Sequence, residues 1–255
     1  MKKKGQHFLV DRAVSERIAS YAELKQDDRV LEIGPGSGNL TGVLAAHAAR
    51  VCAVEVDPNL AAELRARFPN VQVINADALT IKLPDCNKVV SNLPYQISSK
   101  ITYRLLSRPF ELAILMYQKE FALRMIAPPG SRLYGRLAMV VGFLCEAQIL
   151  ETVPRGAFRP VPQVSSAIVR LRPKVESGEV NAERFMRLAE GLFCHRRKKV
   201  KKALAALGVG RETLAELDQE LLEKRPEELT PEEAAGLAKI PGKENLNTQS
   251  KLKGF

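Results

Sequence analysis

Between Arg29 and Asp77 the chain repeats one alternation of short β-branched runs and amphipathic stretches. RVLEIG leads into NLTGVLAAHAA, RVCAVEVD into PNLAAELRARF, and VQVINAD closes the series. Strands of this length joined by helical crossovers must lie parallel, so the pattern βαβαβ folds into an open sheet covered by helices on both faces. KVVSNLP continues the alternation, followed by a helix from Ser99 to Ser107, the strand ELAILMYQ and the helix KEFALRMIA, which Pro128-Pro129-Gly130 stops. GRLAMVVGFLCE reads as a further helix, while AQILETVP and SSAIVRLRP read as two strands of a closing hairpin across Arg155 to Ser165. An antiparallel strand is therefore expected near the end of the sheet.

The alternation stops near Pro173. KVESGEV has the composition of a linker, and beyond it the pattern is helical up to the polar tail KENLNTQSKLKGF. A boundary between Lys174 and Val180 gives an α/β domain over 1–176 and a small helical domain over 177–255. The 255-residue chain carries 39 Lys and Arg against 29 Asp and Glu, a formal net charge of +10, which favours a polyanionic partner, nucleic acid before anionic membrane. The charge is unevenly spread. Residues 181–202 hold eight basic residues against two acidic ones, and residues 211–233 nine acidic against three basic. The run containing Arg196, Arg197, Lys198 and Lys199 is expected to contact phosphates, its plain alternative being a solvated face. Cys52, Cys86, Cys145 and Cys194 are far apart with no C-x-x-C spacing, so neither a disulfide framework nor structural zinc is expected and a reducing compartment is the economical reading. The basic start MKKKGQHFLVDR turns polar within a few residues, and no stretch of 18 apolar residues occurs, so a cytoplasmic protein without signal peptide or membrane span is expected.

Chemistry-bearing residues fall at the ends of the strands. Glu32-Ile33-Gly34-Pro35-Gly36-Ser37-Gly38 forms a glycine-rich turn into a helix, where the backbone can approach a ligand closely; with no ligand it is simply a tight βα turn. Its G-x-G-x-G spacing and preceding carboxylate suit an uncharged, amino-acid-bearing nucleoside better than a pyrophosphate. Glu55 ends the next strand 21 residues after Gly34, where an acidic side chain can accept both ribose hydroxyls. Asp57, followed by Pro58, reads as a helix N-cap. Asp77 at the third strand end can accept from an adenine amino group and Ala78 can offer its N–H to the ring, with surface solvation as the alternative for Asp77. Glu32, Glu55 and Asp77 together define one crevice at the carboxyl edge of the sheet.

Asn92-Leu93-Pro94-Tyr95 follows the fourth strand. An exocyclic adenine nitrogen is a poor nucleophile because its lone pair is delocalised into the ring. Acceptors that hold its two hydrogens in an sp³-like arrangement free that pair. The Asn92 amide oxygen and the Leu93 or Pro94 carbonyl are candidate acceptors, Pro94 fixes the turn, and Tyr95 offers a face for stacking. As a bare tetrapeptide, the same stretch is no more than a polar turn.

In their order and spacing, GQHFL, EIGPGSG, the Glu55 and Asp77 strand ends, NLPY, QKEFALRM, YGRLAMV and FRPVPQVSSAIVRL resemble the rRNA adenine dimethyltransferase family. The resemblance implies a seven-stranded Rossmann-like class I methyltransferase domain with a small all-helical C-terminal domain. It implies methyl transfer from S-adenosylmethionine to N6 of two adjacent adenosines near the 3′ end of small-subunit rRNA, within a pre-30S-like particle and by a monomer. It also implies that Gln6, His7, Leu9, Gly34, Gly36, Glu55, Asp77, Ala78 and Asn92 surround the cofactor, that no metal takes part, and that Asn92, Leu93, Pro94 and Tyr95 form the target-base site. Phe158 is expected to stack on the flipped adenine, with a hydrophobic anchor for its loop as the alternative. Competing readings are methylation of large-subunit rRNA and a non-catalytic RNA-binding assembly or transcription factor on the same fold, against which the intact NLPY, Glu55 and Asp77 argue. YQKEFALRMIA has an archaeal or eukaryotic cast.

Overall fold

A computed structural model of the chain describes residues 7–174 and 180–240. Their contacts divide into two compact units, one holding the described residues up to Ala122 together with Glu146–Pro173, the other Leu123–Cys145 together with the described residues from Lys174 onward.

In chain order the first unit contains β1 (Phe8–Leu9), α1 (Arg12–Tyr21), β2 (Arg29–Ile33), α2 (Asn39–His47), β3 (Arg50–Glu55), α3 (Pro58–Arg67), β4 (Val71–Asn75), β5 (Lys88–Asn92), α4 (Ser98–Leu106) and β6 (Leu112–Gln118). Helix α5 (Lys119–Met125) runs across the division into the second unit, which continues with α6 (Arg136–Leu144). Strands β7 (Cys145–Val153), β8 (Phe158–Arg159) and β9 (Ser166–Pro173) return to the first unit, and α7 (Ala182–Cys194), α8 (Val200–Ala206), α9 (Arg211–Glu216), α10 (Gln219–Glu223) and α11 (Pro231–Ala238) complete the second.

Seven strands form one sheet in the order β4-β3-β2-β5-β6-β9-β7. The pairs β2/β3, β3/β4, β2/β5 and β5/β6 are parallel, whereas β9 lies antiparallel to β6 with Met116 opposite Ile168. The expected parallel sheet with an antiparallel strand near its end is therefore present, and the order reverses between β2 and β5, where open α/β sheets place their ligand crevice. Strand residues such as Val30, Ala53, Val90 and Ile114 are buried against Val14, Ile18, Leu40 and Leu44 of α1 and α2, which explains their near-continuous apolar character. Asp57 caps α3, its Oδ1 accepting from Asn59 N at 2.9 Å, with Pro58 at the first helical position.

β1 and β8 form a separate two-stranded antiparallel ribbon, Leu9 opposite Phe158 and Phe8 opposite Arg159. Val10 N extends it by donating to Ala157 O at 2.8 Å.

The second unit is helical around its own apolar centre. Phe143 of α6 stacks on Phe185 of α7 at 4.1 Å between ring centroids, and the buried Tyr134 donates its hydroxyl to Leu229 O at 2.9 Å. Arg136 and Glu190 join α6 to α7 at 3.1 Å. Leu123–Cys145 thus groups with the C-terminal helices, a division that a single boundary after Pro173 does not contain. Apolar periodicity shows that α6 has a face to bury; it does not name the partner that buries it. The linker at 175–179 lies outside the described residues. No helix among the described residues is long and apolar enough to cross a membrane.

Candidate functional site

The carboxyl ends of β2, β3, β4 and β5 open into one cavity of about 220 Å³ within the first unit. Its wall includes His7 and Leu9 at β1, Glu32 to Ser37 at the end of β2 and beyond it, Glu55 and Val56 at the end of β3, Asp77 and Ala78 after β4, and Asn92 to Ile97 from the last residue of β5 onward. Of the sequence-predicted residues, His7, Leu9, Gly34, Gly36, Glu55, Asp77, Ala78, Asn92, Leu93, Pro94 and Tyr95 all line it. Gln6 lies outside the described residues.

The glycine turn is held close to both neighbours. Gly34 has φ +67°, and a Cβ there would stand 2.7 Å from the Pro94 ring. Gly36 has φ +56°, and its Cβ would meet the Phe8 ring at 2.8 Å. Only glycine satisfies both the left-handed backbone and these approaches, so the turn, the NLPY segment and β1 are fitted to one another.

Glu55 is 3% exposed and held from two sides. Gly36 N donates to its Oε2 at 3.1 Å and Asp57 N to its Oε1 at 2.9 Å. Each oxygen retains lone-pair capacity, so the carboxylate is oriented before any hydroxyl reaches it. Asp77 is exposed at the rim. Its Oδ1 accepts from Leu79 N at 2.8 Å, and its carbonyl accepts from Thr80 N at 3.0 Å and Ile81 N at 3.2 Å, which folds the start of the following loop into a turn.

Glu32 on the cavity wall is 1% exposed, and burial pushes its carboxyl up to about 8; the neighbouring Thr41 hydroxyl opposes the shift and the Glu55 charge adds to it. Glu32 Oε2 and Thr41 Oγ1 are both buried without a hydrogen-bond partner among the described residues. The unpaired oxygen leaves the Glu32 carboxyl, protonated at neutral pH, with free hydrogen-bonding capacity on the cavity wall.

At the other end, Leu93 is buried and its N–H donates to Met116 O at 3.3 Å, which ties the NLPY turn to β6. The Pro94 carbonyl already accepts from Ile97 N at 3.1 Å, inside the turn that leads to α4. Half-buried Tyr95 shares a 2.8 Å hydrogen bond with Ser166 Oγ, and its ring lies 5.9 Å from that of His7. His7 Nδ1 is in turn 2.8 Å from Pro160 O.

Phe158 requires a correction. Its side chain is 0% exposed, belongs to the apolar core with Leu9 and Ile168, and does not line the cavity. Pairing of β8 with β1 turns the ring inward, so in this structure Phe158 anchors its loop instead of presenting a face for stacking. Three further wall residues are not among the sequence-predicted site residues. Phe8 packs on Gly36, Asn39 donates to Leu9 O at 2.5 Å, and Val56, 51% exposed, presents an apolar surface beside Glu55.

Arg196, Arg197, Lys198 and Lys199 sit at the turn between α7 and α8. Two are engaged by the acidic stretch, Arg196 with Glu227 at 2.6 Å and Lys199 with Glu223. Arg197 and Lys198 are exposed.

A sequence profile described as "Ribosomal RNA adenine dimethylase" matches residues 1–239. A protein of Methanothermobacter thermautotrophicus named "Probable ribosomal RNA small subunit methyltransferase A" is 48% identical over 245 residues, covering 92% of this chain and 88% of the relative. The protein of the same name from Pyrococcus furiosus is 45% identical, covering 91% and 88%. Among solved structures, a dimethyladenosine transferase from Plasmodium falciparum superposes with a TM-score of 0.81 at 30% identity, over 91% of this chain and 96% of that one. The 23S rRNA methyltransferase ErmE gives 0.66 at 34% identity, over 91% and 100%. With its profile match over nearly the whole length, its archaeal relatives and its seven-stranded sheet, this chain belongs to the ribosomal RNA adenine dimethylase family.

Proposed function

We propose that the chain transfers methyl groups from S-adenosylmethionine to N6 of two adjacent adenosines near the 3′ end of small-subunit rRNA, giving dimethyladenosines during ribosome assembly. The observation that carries this reading is that one cavity joins a carboxyl-lined half, Glu32, Glu55 and Asp77, to the Asn92–Tyr95 turn. The names of the archaeal relatives and the higher TM-score of the dimethyladenosine transferase favour small-subunit over large-subunit rRNA.

The residues present fit this cofactor. The unpaired Glu32 oxygen and the glycine turn that a Cβ would obstruct suit a polar ligand that lies close to the backbone. Glu55 would accept the ribose hydroxyls, Asp77 the adenine amino group, and Ala78 would donate its N–H to the ring, with Val56 against the ring face; Gln6, His7 and Leu9 would cover the remaining side. When bound, the cofactor supplies a methyl group made electrophilic by its sulfonium.

The chain's own part in the chemistry is alignment and charge stabilisation. The target adenine leaves its stack to enter the cavity mouth. The Asn92 amide oxygen and the Leu93 carbonyl hold its amino hydrogens, since the Pro94 carbonyl already accepts from both Ile97 N and Ser98 Oγ within the turn. Their acceptors favour the positive charge that grows on N6 and take the nitrogen out of conjugation. The Tyr95 ring, oriented by Ser166, supports the base. No strong general base is needed, because the N6 proton becomes acidic once the nitrogen is cationic.

The helical unit would recognise RNA through Arg196, Arg197, Lys198 and Lys199, and the enzyme would act as a cytoplasmic monomer on a pre-30S-like particle. The test is mass spectrometry of rRNA from small and large subunits incubated with the protein and methyl-labelled cofactor. Dimethyladenosine pairs near the 3′ end of the small-subunit RNA are expected. Label confined to large-subunit RNA, or none in either, rules the reading out.

A further inference from the structure

The segment from Ala76 to Asn87 connects β4 to β5 without helix or strand of its own. In the sheet order β4-β3-β2-β5 it must pass two intervening strands, a span of roughly 14 Å at the usual strand spacing. Crossovers between parallel strands normally carry a helix that packs on the sheet and fixes their ends. Here two arginines from α4 and its C-terminal end do that work. Arg104 Nη1 donates to Leu79 O at 2.6 Å and its Nη2 to Ile81 O, while Arg108 Nη2 donates to Pro84 O at 2.5 Å.

We infer that Arg104 is a positioning residue for the adenine end of the cofactor cavity. The two carbonyls it holds belong to the turn closed by Asp77, whose carboxylate accepts from Leu79 N and whose carbonyl accepts from Thr80 N and Ile81 N. Asp77 and Ala78 line the cavity; Leu79 and Ile81 do not. The planar guanidinium bridges both carbonyls at once and so fixes the angle at which the turn presents Asp77, which a flexible single-point contact would not do. Because α4 begins at Ser98, directly after the Asn92–Ile97 wall, the same rigid helix carries one wall of the target-base end and, about 9 Å along its axis, the clamp on the adenine end. The distance between the two ends is thereby set by one element.

This inference rests on the proposed reading of Asp77 and is tested with two probes, S-adenosylhomocysteine and S-inosylhomocysteine, whose 6-oxo group would face the Asp77 carboxylate with an acceptor. Calorimetry on the full chain compares the wild type with Arg104→Ala, Arg104→Lys and Arg108→Ala. The wild type should favour the adenine probe by roughly 30-fold, as expected for a charge-assisted hydrogen bond exchanged for an acceptor clash. Arg104→Ala should shrink that ratio to a few-fold, Arg104→Lys should restore part of it, and Arg108→Ala, which loosens the loop farther on, should keep it. A full ratio in folded Arg104→Ala overturns the inference, as does equal shrinkage in Arg108→Ala. Should Arg104→Ala fail to fold, a full ratio in Arg104→Lys overturns it. A wild type that binds both probes equally removes the adenine reading of Asp77 and this inference with it.

Discussion

The cavity of the first unit and the basic turn of the second solve opposite problems. Around the cavity, polar groups are fixed by backbone partners before a ligand arrives, as Glu55 is by the Gly36 and Asp57 amides. At the α7–α8 turn, charged side chains are exposed and two of them rest on glutamates of the acidic stretch, the exposed Glu223 and the half-buried Glu227. Buried, pre-oriented groups act strongly at short range, whereas exposed pairs each contribute only about 0–1 kcal/mol and exchange partners readily. A small rigid ligand rewards the first arrangement. A long, flexible polyanion rewards the second.

If that contrast holds, substitutions should fall in a definite order. The largest effect is expected for Asn92→Ala, which removes an acceptor for charge that develops only in the transition state; kcat should drop on the order of 100-fold while RNA binding stays close to wild type. Single-turnover methylation with saturating RNA measures it, and wild-type turnover would sink the role. Next is Glu55→Ala, which loses charge-assisted hydrogen bonds worth roughly 1.5–3 kcal/mol and should weaken cofactor binding by about 10- to 100-fold in calorimetry. Unchanged affinity in the folded variant would place the ribose elsewhere.

A third effect is one of stability. Folded Glu32 keeps its proton up to about pH 8, whereas an unfolded carboxyl loses it near 4.5. The folded state thus binds more protons in this window, and stability falls as pH rises through it. Denaturant midpoints without cofactor should decline from about pH 5 to about pH 9 more steeply in the wild type than in Glu32→Gln. Parallel declines would show that Glu32 is not the group responsible. The smallest effect belongs to the exposed turn. Replacing Arg197 and Lys198 by Ser should reduce the slope of log affinity against log salt by about 0.7–0.9 for each lost phosphate contact. The Arg196 and Lys199 pair should lower it less, because their glutamates already compete for them. Slopes unchanged in both double variants would remove this turn from the RNA surface and blur the contrast.

The sheet was legible because its signals are local. β-branched runs, glycine turns and the Asp57–Pro58 cap each specify structure within a few residues, and the cavity residues fall at the strand ends those signals locate. What escaped depends on distant pairing. β1 and β8 are two residues long and exist only because they meet each other, so neither has a periodicity to read. The burial of Phe158 follows from that pairing and shares its illegibility. α1 is different in kind. Its Asp11 cap and the buried Val14 and Ile18 at helical spacing were available in the sequence, upstream of where the alternation begins. Assignment of α6 to the helical unit depends on Phe143 finding Phe185, a choice among apolar partners that no pattern within α6 encodes.

The β1–β8 ribbon also imposes an order in time. It joins residues about 150 positions apart, and the chain just before and within β1 forms one wall of the cavity. During synthesis β2 to β6 emerge long before Phe158, so a nascent chain passes through a stage with most of its sheet and one wall missing. Closing so long a loop costs little more than closing a shorter one, because the entropic term grows only with the logarithm of length. The ribbon therefore governs sequence of events more than stability. Ribosome-bound chains halted before Phe158 should fail to retain S-adenosylhomocysteine, and chains halted after β9 should hold it. An enzyme that matures ribosomes would then become competent only once its own catalytic unit has been translated through to the last strand of its sheet.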